Sequence, residues 1–202
     1  MNENPETAVL MDDADIEPWW GPDADVTGRL LAAIAVAAAA VPAMNARYDP
    51  DRRRFAPLPT VDIGITIETE DGVAIPVLTD VGHRSTVEIR QRLNELRVMV
   101  EDCSLHPPIR LVNFGRGPCR YAQLPILPPE IAIVAAGQVL LWPVQVGRHM
   151  SQRHCLPLTL TYDARAIGLL AATRFLGAIK TDLAKRDIPL ARGWRASLGE
   201  TP

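Results

Sequence analysis

Apolar and polar residues alternate through 156–163. Leu158, Leu160 and Tyr162 fall on one side of an extended chain, with Thr159, Thr161 and Asp163 on the other. A period of two, rich in threonine and aliphatic side chains, predicts a strand of about seven residues. Beyond a turn over 163–168 the period changes. Leu169, Ala172, Leu176 and Ile179 recur at helical spacing, and the helix is expected to reach about Lys185. Lys180, Lys185 and Arg186 then suit the negative end of its macrodipole. Strand, polar turn and helix together present Asp163-Ala164-Arg165-Ala166-Ile167-Gly168 from a rigid frame.

Upstream, residues 7–16 hold one apolar patch, Ala8-Val9-Leu10-Met11, ahead of Asp12, Asp13, Asp15 and Glu17. This is read as an edge strand or as an acidic tail. Trp19 and Trp20 precede Gly21-Pro22, and paired indoles on a loop need an apolar surface to cover, in the domain's own core or on a neighbouring subunit. Asp25 or Thr27 caps a helix that runs to about Val41 and is nearly all Ala, Leu, Ile and Val. A helix apolar all round is a buried one. Residues 48–59 read as a loop whose basic run, Arg52-Arg53-Arg54, is a solvated hairpin turn or a phosphate anchor. Residues 61–77 form two β-branched runs around Asp71-Gly72, the pattern of a hairpin. Ser85 or Thr86 opens an amphipathic helix with Val87, Leu93, Leu96 and Val100 inward. Arg84, Arg90, Arg92 and Arg97 are expected on its solvated side.

Composition narrows the function classes. With 202 residues and 48% hydrophobic side chains, one substantial core and one domain are expected. The boundaries are drawn as an N-terminal tail or edge strand over 1–23, a core over 24–188 and a C-terminal tail over 189–202. A net charge of −3 gives no electrostatic reason to expect nucleic acid or an anionic membrane as partner. Cys103, Cys119 and Cys155 are odd in number and lack CxxC spacing, so reduced thiols in a cytoplasm are expected, without a zinc site. The acidic N-terminus lacks the basic start of a signal peptide. The apolar run over 30–42 is too short to span a bilayer. No nucleotide-binding loop, metal-ligand cluster or Ser/His/Asp order is found. No cofactor is expected.

The segment over 158–176, LTLTYDARAIGLLAATRFL, resembles the C-terminal signature of the acyltransferase core of 2-oxoacid dehydrogenase complexes. That family shares its fold with chloramphenicol acetyltransferase, and its pattern is a strand, then D-H-R-x-x-D/N-G, then an A-A-x-F-like helix. Asp163, Arg165, Ile167, Ala172, Arg174, Phe175 and Leu176 fit this pattern. Val41-Pro42-Ala43-Met44-Asn45-Ala46 resembles the family's V-P-x-x-N-A/S segment, and residues 61–78 resemble its V-D-I-G-I hairpin. Residues 109–115 fall where the family has the strand F-T-I-S-N/S-L-G, and residues 128–133 resemble its N-x-P-E-x-A-I-L strand. Residues 138–154 would then be its variable hairpin. The resemblance covers about 24–186, the later part of the family core. The family's arginine-rich first helix, lipoyl domain and swinging linker have no counterpart, so the chain is expected to be N-terminally shortened.

The resemblance implies a two-layer α/β sandwich with a mixed sheet and helices on one face. It implies a homotrimer with an active-site channel between subunits. It also places the departures at the chemistry. Ala164 stands at the family's catalytic His, Val112 at its oxyanion-donating Ser, and Gly168 at its Asp/Asn, while Leu169 replaces a Gly. Asn45, Val112, Asn113, Tyr162, Ala164 and Gly168 are the candidates for lining the channel. Acyl transfer between lipoyl thiol and coenzyme A uses a general base and an oxyanion donor, and Ala164 and Val112 supply neither. His83, His106, His149 and His154 stand in no motif that places them at the chemistry. The expectation is therefore a degenerate acyltransferase-like protein acting as a scaffold, assembly or regulatory subunit beside dehydrogenase-complex subunits. The alternative is a repurposed enzyme whose channel takes an apolar small molecule for a cyclisation, isomerisation or condensation in specialised metabolism.

Overall fold

The computed structural model describes residues 5–69, 72–98 and 105–186. In chain order the strands and helices are β1 (Thr7–Asp15), α1 (Val26–Ala40), β2 (Ala46–Asp49), β3 (Arg54–Pro57), β4 (Ile63–Ile65) and β5 (Ile67–Thr69). There follow β6 (Gly72–Ala74), β7 (Val77–Leu78), α2 (Thr86–Val98), β8 (Ile109–Asn113) and β9 (Ala132–Ala136). The last are β10 (Leu140–Val146), β11 (His149–Asp163) and α3 (Leu169–Leu183). The main sheet runs β1-β11-β9-β8-β4-β7, with β10 also paired to β11. β8 lies parallel to β4 and β9, and the other pairings are antiparallel. This is the mixed sheet and α/β class expected.

The strand read from 156–163 is longer than its pattern suggested. β11 spans 15 residues, because its first half pairs with β10 and its second with β1 and β9. Leu156, Leu158, Leu160 and Tyr162 face the helical layer with Ala132, Val134, Ile109, Leu111 and Ile63, all within one buried cluster. Thr159 and Thr161, on the other face, are each 1% exposed. The segment between β8 and β9 covers them. Ile126 is buried there, Arg110 donates to the Pro125 carbonyl at 3.0 Å and pairs with Glu130 at 2.9 Å, and Tyr121 donates to Asp13 at 2.8 Å. Gly137 permits the cover: a Cβ there would lie 2.1 Å from the Arg120 carbonyl oxygen.

α1 is buried along most of its length, including Leu30, Leu31 and Ile34, and its alanines let it approach α3 closely. Asp25 caps it, accepting from the Gly28 amide at 2.9 Å. The same carboxylate accepts from Arg90 of α2 at 2.7 Å, so Arg90 is an interhelical tie rather than part of a solvated face. Ser85 opens α2 through a reciprocal box: its amide donates to Glu88 at 2.7 Å, and the Glu88 amide donates to its hydroxyl at 3.3 Å. Ile89 and Leu93 carry the buried stripe of α2, whereas Val87 is 64% exposed, a correction to the inward face read from sequence. Val100 lies outside the described residues, as do Asp71 of the expected hairpin turn and Cys103. The pair Thr69↔Gly72 closes the β5–β6 hairpin.

The two tryptophans resolve in favour of the chain's own core. The Trp19 indole donates to the Leu183 carbonyl at 2.6 Å, at the last turn of α3, and the Arg29 guanidinium sits 5.9 Å from its ring. Arg29 donates to both the side chain and the carbonyl of Asp182. Trp20 stacks on His154 at 5.3 Å, while Glu17 accepts from the His154 amide at 2.8 Å. Between them these contacts fasten residues 16–20 across one end of α1, α3 and β11.

Arg29 and Asp182 are 7% and 13% exposed, so removing either partner strands a buried charge. Arg29→Ala is expected to lower stability by about 3–5 kcal/mol. Arg29→Met with Asp182→Leu is expected to lose much less, read from paired urea denaturation curves.

Candidate functional site

The turn after β11 is built by one carboxylate. The Asp163 side chain, 4% exposed, accepts from the Arg165 amide at 3.0 Å, from Arg165 Nε at 3.0 Å and from Arg165 Nη2 at 2.7 Å. The Asp163 carbonyl accepts from Ala166 at 3.0 Å and Ile167 at 2.8 Å, closing the chain on itself. Ile167, 1% exposed, pins the far side into the core. The hydrogen bonds to Asp163 hold the Arg165 guanidinium pKa above its ordinary value. The Ala164 amide is tied to the Glu6 carbonyl at 2.7 Å, so the start of β1 supports the turn from outside. Between these anchors Ala164 and Gly168 stand exposed, and no atom lies within 4 Å of the position a Gly168 Cβ would take.

The remaining candidates separate into two groups. Asn45 and Tyr162 are 6% and 4% exposed, within the interior of the chain. The Asn45 amide donates to the Leu58 and Thr60 carbonyls at 3.2 and 2.9 Å. Val112 and Asn113 lie at the end of β8 with their side chains on opposite faces of the sheet. Asn113 donates to the Thr27 hydroxyl at 2.9 Å and accepts from the Gly115 amide at 3.0 Å. Val112 is half-buried and in register with Ala135, which in turn pairs with Thr159. Ala164 follows Thr159 by five residues, two strands away. At ~3.3 Å per residue and ~4.8 Å per strand, Val112 and Ala164 are roughly 19 Å apart within one chain. Ala164, Gly168, Leu169 and Leu170 form one exposed group, and the half-buried Val112 lies apart from it. A single copy does not bring them together.

Elsewhere, His83 pairs with Asp80 and His154 with Glu17. The His154 backbone amide is the main cause of the lowered Glu17 pKa. Burial pushes the Cys155 thiol up, whereas Cys119 is exposed. Among the described residues, no group of three or more His, Cys, Asp or Glu could hold a metal ion. None of the described helices is long and apolar enough to cross a membrane. Sequence reasoning missed Glu6, whose carbonyl steadies the turn through a contact across the sheet edge that leaves no local pattern.

A model of the 2-oxoacid dehydrogenase acyltransferase catalytic domain matches residues 22–188. A dihydrolipoyllysine-residue acetyltransferase component of the pyruvate dehydrogenase complex from Mycoplasma capricolum is 28% identical over 162 residues. That match takes in 77% of this chain but only 37% of the relative's length. A solved Azotobacter vinelandii dihydrolipoamide acetyltransferase superposes with a TM-score of 0.83 at 24% identity, covering 90% of this chain and 83% of that one. Its catalytic mechanism has been investigated through a serine, a histidine 52 residues later and an asparagine four beyond that. A chloramphenicol acetyltransferase superposes with a TM-score of 0.63 at 15% identity, covering 90% and 89% of the two chains.

These findings correct the functional expectation drawn from Ala164 and Val112. The relatives carry the name of an acetyltransferase component, which points to an acyltransferase subunit and not to a degenerate scaffold or a repurposed cyclase or isomerase. The physical reason lies in what two side chains can decide. A positioned base supplies about 10²–10⁴-fold, but holding two reactants in attack geometry alone supplies roughly 7–11 kcal/mol.

Asp163→Ala removes the carboxylate acceptor of these Arg165 bonds. It is expected to cost about 3 kcal/mol or more and to make the 164–168 turn susceptible to limited proteolysis, with the rest of the chain still folded at low temperature.

Proposed function

Because the chain belongs to the 2-oxoacid dehydrogenase acyltransferase family, we propose that it works as an acyltransferase subunit of a 2-oxoacid dehydrogenase-type complex. It moves an acyl group between a lipoyl thiol and coenzyme A. The observation that carries this reading is the match over residues 22–188, which includes the whole strand–turn–helix frame and its Asp163–Arg165 clamp. Val112, Ala164 and Gly168 have the same separations as the serine, histidine and asparagine of the Azotobacter acetyltransferase. That supports siting the transfer at these positions, lined by Val112 of one copy and Ala164 and Gly168 of another.

In this mechanism the attacking sulfur arrives as a thiolate, adds to the thioester carbonyl carbon, and the tetrahedral adduct expels the other sulfur as a thiolate. Nothing at position 164 accepts the thiol proton, so solvent takes it. The residues of the chain bind and orient the two thioester partners. Asp163 and Arg165 keep the turn in place without entering the reaction. Free thiols at Cys119 and Cys155 fit a cytoplasmic setting, where the other subunits of such a complex would be its partners.

Assembly follows from the roughly 19 Å between Val112 and Ala164 in one chain, which makes a site of both incomplete without a second copy. Exposed apolar side chains are available for the contact: Leu141 is 52% exposed, Val146 43% and Met150 69%, all on the β10–β11 hairpin. Trp19 and Trp20, engaged internally, are not needed for it, whereas Trp142 of the same hairpin is 44% exposed. We assign a homotrimer.

Two outcomes are expected. The rate of acyl transfer from an acyl-coenzyme A to dihydrolipoamide should rise about tenfold per pH unit until the attacking thiol is ionised. Ala164→His should raise turnover at pH 7 by about 10²–10⁴-fold and flatten the profile above the imidazole range. Stopped assays across pH 6 to 9 decide this, and no transfer by either protein with any thioester would refute the acyltransferase reading. Sedimentation equilibrium at micromolar concentration should give three times the 22.1 kDa chain mass; a folded monomer would refute the shared site.

A further inference from the structure

The first turn of α3 presents two large apolar side chains to solvent beside the candidate transfer site. Leu169 is 62% exposed and Leu170 is 65% exposed, whereas the buried stripe of the helix begins only at Ala172. They continue directly from Gly168, over which the space is open, and from the exposed methyl of Ala164. The charged group of the turn, Arg165, is engaged by Asp163, and the nearest hydroxyl, Thr173, is turned back onto the Leu170 carbonyl at 3.0 Å. The surface next to the turn thus offers the methyl and methylene groups of Leu169 and Leu170, with the exposed Arg174 one helical turn further along. Val112, the facing residue of a second copy, adds another apolar side chain.

From this continuity we propose that Leu169 and Leu170 set the acyl-group specificity of the site, selecting an extended aliphatic acyl chain over acetyl. The proposal rests on the acyltransferase reading and goes further in naming the substrate class. Acetyl has one methyl group and reaches little of this surface. A hexanoyl chain has four more methylenes, each worth roughly fourfold in affinity when fully buried. Partial cover of the chain by Leu169 and Leu170 still favours hexanoyl by about tenfold or more.

The test compares hexanoyl-coenzyme A with acetyl-coenzyme A on the full chain, by calorimetric binding and by transfer to dihydrolipoamide. The expected result is a hexanoyl preference of about tenfold or more in both affinity and kcat/KM, falling to about twofold in Leu169→Gly, Leu170→Ala. Both side chains are exposed, so the paired variant retains the fold, which circular dichroism and sedimentation verify. Acetyl bound or transferred as well as hexanoyl overturns the proposal. So does a hexanoyl preference that the variant leaves intact. A variant that changes only the assembled mass also overturns it, because the two leucines would then be covered by a second copy. Failure to bind or transfer either thioester instead removes the acyltransferase reading on which the proposal stands, an outcome distinct from loss of selectivity.

Discussion

The second half of β11 is enclosed on every side, and the architecture depends on that enclosure. Its two edges are paired with β1 and β9, its even-numbered side chains enter the helical core, and its threonines lie beneath the segment between β8 and β9. A strand so confined has one admissible register, because a slip of one residue would exchange its leucines with its threonines. That rigidity is passed directly to residues 163–168. The side chains that hold the turn are those of Asp163, Arg165 and Ile167, with the Glu6 carbonyl on the Ala164 amide. This leaves the side chains at 164 and 168 free to differ without loss of the frame.

The elements with a clean period were legible in the sequence. Leu158, Leu160 and Tyr162 marked the buried face of β11, the alanine-rich run marked α1 as buried, and Ser85 or Thr86 marked the start of α2. What escaped were relations between distant segments. Pairing with β10 lengthened β11 beyond its alternating part, since His149, Ser151 and Arg153 carry no apolar period of their own. Arg90 looked solvated because its partner, Asp25, lies 65 residues away in sequence. Trp19 and Trp20 could be read as needing cover, but only the folded chain shows that the cover is the end of α3 for Trp19 and His154 of β11 for Trp20.

The candidate site was legible as a frame and misleading as chemistry. Val112 falls at the end of β8, and Ala164 and Gly168 fall in the exposed turn after β11. Yet treating the loss of two polar side chains as the loss of a function gave undue weight to the groups easiest to name. Binding and orientation are spread across many contacts and leave no compact motif, which is why the family frame outweighed two substitutions.

The hydrogen bond from the Ala164 amide to the Glu6 carbonyl has a further consequence for how cargo could be delivered. The described polypeptide enters the fold beside the very turn at which we propose that transfer occurs. Any module joined by a flexible tether ahead of Glu6 therefore starts its search within a linker's length of that turn. Its concentration there is set by the tether, reaching the millimolar range for short flexible linkers, and not by diffusion through bulk solution. The edge strand is thus a structural support for the turn.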